Sequence, residues 1–116
     1  MTRDLPPGNH ADAFQAMLRE LSAKDTGVIR EPSDISVVGH RVVHGGLEYT
    51  QPVRMDAAIL AALEKYVPLA PLHQPHNLAA IRLMLERLPG VPEVACFDTA
   101  FHRTVPEVAQ LFALPP

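Results

Sequence analysis

Two residues of this chain have the type and setting to hold a small anion. Arg41 stands in the run Val38-Gly39-His40-Arg41-Val42-Val43, a permanent charge among apolar neighbours. A guanidinium binds carboxylate or phosphate through two parallel N–H bonds. An edge strand whose arginine simply reaches water fits the same pattern. Asp98 follows the apolar run Val94-Ala95-Cys96-Phe97 and precedes Thr99-Ala100-Phe101-His102. Ligands of open α/β sheets bind beyond the carboxyl ends of strands, where such an aspartate would lie. A helix cap or a turn uses the same residue type. A third reading pairs Arg41 and Asp98 with each other.

The histidines, His10, His40, His44, His73, His76 and His102, do not form a metal pattern. His40 and His44 share a strand face but would sit about 13 Å apart. No cysteine pair and no His-Glu-x-x-His run supports zinc. The segment Leu69-Ala70-Pro71-Leu72-His73-Gln74-Pro75 reads as a rigid, proline-braced connector. It leads into a helix N-terminus, a position that attracts anions. A Gly-x-x-x-x-Gly-Lys-Ser/Thr loop, a Gly-x-Gly-x-x-Gly turn and a Gly-x-Ser-x-Gly elbow are all missing from the sequence. Cys96, inside an apolar run, reads as core.

Composition narrows the function classes. The net charge is −3, with no basic stripe and no tryptophan, which argues against a nucleic-acid surface. No apolar run is long enough to span a bilayer. The first residues lack the apolar core of a signal peptide. The single cysteine cannot form an intrachain disulfide, so a reducing cytoplasm is the expected compartment. The ending Phe112-Ala113-Leu114-Pro115-Pro116 carries no polar tail, and the chain is expected to be a cut piece.

The elements that must position Arg41 and Asp98 follow from periodicity. Phe14, Met17, Leu18 and Leu21 predict an amphipathic helix over residues 10–24, with Asp12 near its start and Gly27 past its end. Residues 35–44 are rich in β-branched residues and predict a strand, in which Gly39 marks a bulge or a close backbone approach. Gly45-Gly46 signals a turn, and residues 47–54 predict a return strand, hence a hairpin. Asp56 caps a helix reaching about Tyr66, ended by Pro68 and Pro71. Pro75 opens another, with Leu78, Ile81, Leu85 and Leu88 as its buried face and Pro89-Gly90 as its stop. Residues 94–97 predict a short buried strand, and 99–116 a loop with a short helical turn after Pro106. The order predicts an α/β arrangement with helices packed on one sheet.

Three segments together resemble acetate kinases. They are Val38-Gly39-His40-Arg41-Val42-Val43-His44-Gly45-Gly46, Ala70-Pro71-Leu72-His73-Gln74-Pro75-His76-Asn77-Leu78, and Cys96-Phe97-Asp98-Thr99-Ala100-Phe101-His102-Arg103-Thr104-Val105-Pro106. The stretches around His10-Ala11 and Ala113-Leu114-Pro115 are similar too. The resemblance implies an incomplete ribonuclease-H-like domain of the actin-like and sugar-kinase superfamily, with residues 1–116 as a single partial domain. It implies phosphoryl transfer from ATP to acetate with magnesium, giving acetyl phosphate and ADP reversibly, and a homodimer or a complementing chain as partner. Neither nucleic acid nor membrane is expected as a partner.

By the same resemblance, Arg41 binds the carboxylate of acetate or its phosphorylated product, and Asp98 is the catalytic aspartate. Val43 and Leu72 line the methyl pocket, and His73 lies near the phosphoryl path. No cofactor-binding or metal-binding residue is assigned within the chain. Acetate, with a carboxyl pKa like that of Glu, is already ionised at pH 7 and needs no base. Asp98 is therefore expected to position groups or help hold magnesium, not to move an obligatory proton. One methylene in an apolar pocket is worth only about 1–3 kcal/mol, so propionate is expected as a secondary substrate. Gln74 stands where the family usually has Asn, which predicts a weaker helix start; Ala80, Arg103 and Val105 also depart. The family's phosphate loop, adenosine-binding motifs and metal-linked glutamate have no counterpart here. The chain is expected to form one wall of the cleft, inactive and marginally stable alone. The alternative is a non-catalytic carboxylate-binding or partner-binding module.

Overall fold

The computed structural model describes residues 8–101, 104–106 and 109; of Phe101 it describes the backbone only. Three strands and four helices run in the order α1 (His10–Leu21), β1 (Val38–Val42), β2 (Val53–Arg54), α2 (Ala57–Glu64), α3 (Gln74–Arg87), β3 (Glu93–Phe97) and α4 (Asp98–Phe101). The α/β arrangement expected from the sequence is present, but its sheet is threaded differently. The order is β1-β3-β2, with β1 parallel and β2 antiparallel to β3. The expected hairpin does not form. After Gly45-Gly46 the chain turns, with Tyr49 N–H donating to Gly45 O at 3.1 Å. The Tyr49 ring then stacks on Phe97 at 5.5 Å between centroids. That contact carries the chain past the end of β3 to its far side, where Val53 pairs with Ala95.

Strand alternation sorts β1 and β3 into two faces. Val42, Ala95 and Phe97 are buried against Met55, Leu60, Leu63, Leu78 and Ile81, so α2 and α3 cover this face. Gly39, Arg41, Arg54 and Cys96 are exposed on the other. Cys96 is therefore not core, as its apolar neighbours suggested; it is an exposed free thiol, in register with Arg41. Gly39 marks neither bulge nor close approach. Its pairing with Val94 is regular, and nothing lies within 4 Å of where a Cβ would stand.

Helix α1 starts at Asn9, whose side chain accepts from Asp12 N–H while Asp12 Oδ2 accepts from Asn9 N–H, each at 3.0 Å. This reciprocal capping box satisfies two otherwise unpaired donors. The helix stops at Leu21, earlier than expected, because Ser22 Oγ donates back to Leu18 O at 2.8 Å and the chain doubles over it. Gly27 makes that reversal possible: a Cβ there would lie 2.5 Å from the carbonyls of Leu21 and Ala23. Phe14 and Leu18 pack on Leu88, forming a second, smaller core, whereas Met17 is 45% exposed. Asp56 caps α2 as expected, its Oδ1 accepting from Ile59 N–H at 2.8 Å. Leu78 and Ile81 of α3 and Leu88 at its C-cap are buried, and Gly90, at φ +83°, turns the chain away beyond it.

Candidate active-site wall

Arg41 and Asp98 meet at the C-terminal ends of β1 and β3. Arg41 Nε donates to Asp98 Oδ1 and Oδ2 at 3.0 and 3.1 Å, and Nη2 donates to Oδ2 at 2.7 Å. The parallel register explains the meeting, since Val42 pairs with Phe97, and Arg41 and Asp98 flank that pair. The Arg41 side chain is 80% exposed and that of Asp98 40%. Hydrogen bonding to the guanidinium, with its charge, holds the Asp98 carboxyl below the usual carboxylate range. The same hydrogen bonds raise Arg41 above its ordinary value. Both groups are charged at neutral pH. The pair uses Nε and Nη2, so Nη1 remains outside it on an exposed side chain.

The other residues singled out by sequence are placed unequally. Val43 is half-buried directly after β1, and its N–H donates to Asn77 Oδ1 at 3.1 Å. Leu72 is 78% exposed and His73 is exposed, both on the connection into α3. No bond or ring contact joins either side chain to Arg41 or Asp98 among the described residues. His102 lies outside the described residues, as do Arg103 and the expected helical turn's residues 107 and 108.

Sequence reasoning missed the residues that hold this wall together. Four successive amides, from Val43 to Gly46, each donate to a side chain. Val43 N–H goes to Asn77 Oδ1, His44 N–H to Gln74 Oε1, and Gly45 N–H to Thr99 Oγ1, each at 3.1 Å. Gly46 N–H goes to His44 Nδ1 at 2.9 Å. Gln74 is not a weak helix cap. Position N-cap is His73, without a side-chain bond, and the Gln74 side chain turns inward and is fully buried. Gly46 needs its lack of a side chain twice over: φ is +60°, and a Cβ would collide with the Tyr66 ring. A shallow cleft of about 480 Å³, bounded by His44, Leu47, Tyr66, Leu69 and Thr99, opens beside this turn.

The described residues alone do not complete a nucleotide or magnesium site. The amides that could cradle phosphate are already occupied by protein acceptors. Among the described residues no three His, Cys, Asp or Glu side chains cluster as metal ligands. Asp98 is ion-paired with Arg41. What the arrangement can do is present a fixed guanidinium, braced by a carboxylate, to a carboxylate or phosphate anion.

The fold and this pair define an α/β protein with an exposed arginine–carboxylate pair past the ends of parallel strands. The comparison with known proteins gives the family: the acetokinase family model matches residues 2–116, and the chain belongs to that family. It is 48% identical over 113 residues to the acetate kinase of Thermotoga maritima, covering 97% of this chain and 28% of that protein. The crystal structure of Porphyromonas gingivalis acetate kinase is similar with a TM-score of 0.82 at 39% identity, over 93% of this chain and 27% of that one. A propionate kinase from Francisella tularensis is similar with a TM-score of 0.76 at 36% identity, over 96% and 28%. The chain thus spans about 28% of the length of the curated relatives it matches. Among the described residues, no helix is long and apolar enough to cross a membrane.

Proposed function

We propose that this chain forms the carboxylate-binding wall of an acetate kinase, a cytoplasmic enzyme that transfers a phosphoryl group between ATP and acetate. The observation that carries the reading is the bidentate Arg41–Asp98 pair beyond the ends of β1 and β3. Arg41 binds the carboxylate of acetate, or the acyl phosphate formed from it, through the N–H groups outside the pair. Asp98 holds the guanidinium in one orientation. The acetate carboxylate is ionised at pH 7, so Asp98 has no proton to remove. Val43, two residues beyond Arg41 and half-buried, lines the methyl pocket beside the anion. Leu72 and His73 join the site only when further chain covers the connection they occupy. ATP, magnesium and the remaining charge that phosphoryl transfer demands belong to residues other than those described. A complementing polypeptide or a longer form of this protein, assembled as a homodimer, supplies them.

The test has two arms on the 116-residue polypeptide. Titration with acetyl phosphate should show saturable binding that Arg41→Gln weakens by about tenfold or more, the loss of a charge-assisted hydrogen bond. Asp98→Asn should weaken it less, because Arg41 remains. Binding that is indifferent to Arg41 would sink the assignment. ATP-dependent acetyl phosphate formation, trapped with hydroxylamine, should be absent. Turnover abolished by Asp98→Asn would show a complete catalytic centre and refute the one-wall reading. Binding without turnover, retained when complementing kinase segments are added, would favour the non-catalytic carboxylate-binding module.

A further inference from the structure

We propose that Gln74 is a positioning residue: its buried carboxamide clamps the peptide at His44 and so fixes the turn after β1 against the Arg41–Asp98 pair. Gln74 is 0% exposed. Its Oε1 accepts from His44 N–H at 3.1 Å, and its Nε2 donates to His44 O at 2.8 Å. A longer contact of 3.5 Å runs from Nε2 to Leu63 O at the end of α2. One side chain thus exchanges both a donor and an acceptor with one backbone residue, as a strand partner does in an antiparallel ladder. β1 ends at Val42, and the carboxamide takes over the pairing of the chain beyond it.

The clamp reaches both members of the site. Towards Arg41 it acts through Val43, whose own N–H is held by Asn77 from the same helix. Towards Asp98 it acts through Gly45, whose N–H is held by Thr99, the residue after Asp98. With the clamp in place, the turn cannot shift without breaking bonds to α3 and α4 together. An apolar side chain of the same length would fill the space and leave the part-buried His44 N–H and C=O without these partners, an arrangement that favours local opening. The clamp itself stands on geometry alone; its role in anion binding rests on the function proposed above.

The experiment is amide hydrogen exchange by NMR on the 116-residue chain and its Gln74→Met variant, with an acetyl phosphate titration of each. In the unsubstituted chain the His44 amide should exchange slowly. In Gln74→Met it should exchange about tenfold to a hundredfold faster, while the Ala95 and Phe97 amides of β3 change by less than about threefold. Acetyl phosphate affinity should fall by about tenfold or more. A His44 amide that already exchanges at the free rate in the unsubstituted chain overturns the clamp, whether or not the variant folds. So does uniform acceleration across β3, which would mark a general packing loss. Affinity unchanged while His44 is released overturns the positioning role. If the unsubstituted chain binds no acetyl phosphate, the proposed function and the positioning role fail together, and the exchange data judge the clamp separately.

Discussion

Replacing Glu93 by Gln should stabilise the protein in mildly alkaline solution and leave it nearly unchanged in acid. Glu93 opens β3 on the helix-covered face and is 1% exposed. Neither carboxylate oxygen has a hydrogen-bond partner; His40 Nε2, which also has none, lies 3.5 Å from Oε1. Burial pushes the Glu93 carboxyl up to about 7 from an ordinary value of 4.5. The folded protein therefore keeps this proton where the unfolded chain has lost it. The contribution is fully present below pH 4.5, and stability falls as pH rises from there to about 7. Over that window the loss is about 3 kcal/mol, at roughly 1.4 kcal/mol for each pH unit. His40 has the opposite sign. Burial lowers its pKa below 6.5, so its contribution is lost as pH falls below 6.5, when the unfolded imidazole takes a proton that the folded one refuses. The two slopes offset each other below pH 6.5, which flattens the unsubstituted protein there. The Glu93→Gln variant loses only the carboxylate slope. Urea unfolding followed by circular dichroism at about pH 5 and about pH 8 should give the variant an advantage approaching ~3 kcal/mol at the higher pH and much less at the lower. An equal gap at both pH values, or a variant less stable in the alkaline sample, would refute the reasoning.

Other features make separate expectations. Asp56→Ala removes the cap on Ile59 N–H and should lower stability by about 1 kcal/mol in the same urea assay, with Asp56→Asn close to unsubstituted. Gly46→Ala places a methyl group against the Tyr66 ring at positive φ. It should destabilise by about 2 kcal/mol or more, and Tyr66→Ala in the same chain should recover part of that loss. Cys96 should react with a thiol reagent in the native protein at about the rate seen in urea, because it faces solvent; protection until unfolding would return it to the core.

Periodicity made α1, α2, α3 and the places of β1 and β3 legible, because each depends on residues a few positions apart; α4, over Asp98–Phe101, reads as loop because four residues carry no helical period. Pairing was not legible. Val53 and Arg54 carry no mark that says whether they join β1 or β3, and the Tyr49–Phe97 stack that decides it links distant residues. Cys96 was misread because an apolar run does not reveal which face is covered; in β3 the alternate positions are half-buried Val94 and exposed Cys96. Arg41 and Asp98 stood out by type and by resemblance, and the parallel register supplied their distance. Gln74 was legible only as an imperfect cap. Its true partners lie at residue 44, and no local pattern connects a carboxamide to a peptide thirty positions earlier. Glu93 gave no signal, since a charged residue at a strand's start ordinarily reaches water.

The strand order has a consequence for the order of events during synthesis. Among the described residues β1 and β2 are not paired; each bonds only to β3. A nascent chain that has passed residue 54 has made both flanking strands of this sheet before the strand that joins them. Every interstrand bond among the described strands waits for residues 93–97 and for closure of the long intervening loops, which slows folding relative to locally paired topologies. During that wait α2 and α3 have no sheet to cover, and the apolar faces they later share with Ala95 and Phe97 remain wet. A defect in β3 therefore loses the whole sheet, whereas a defect in β1 can leave the β2–β3 pair standing.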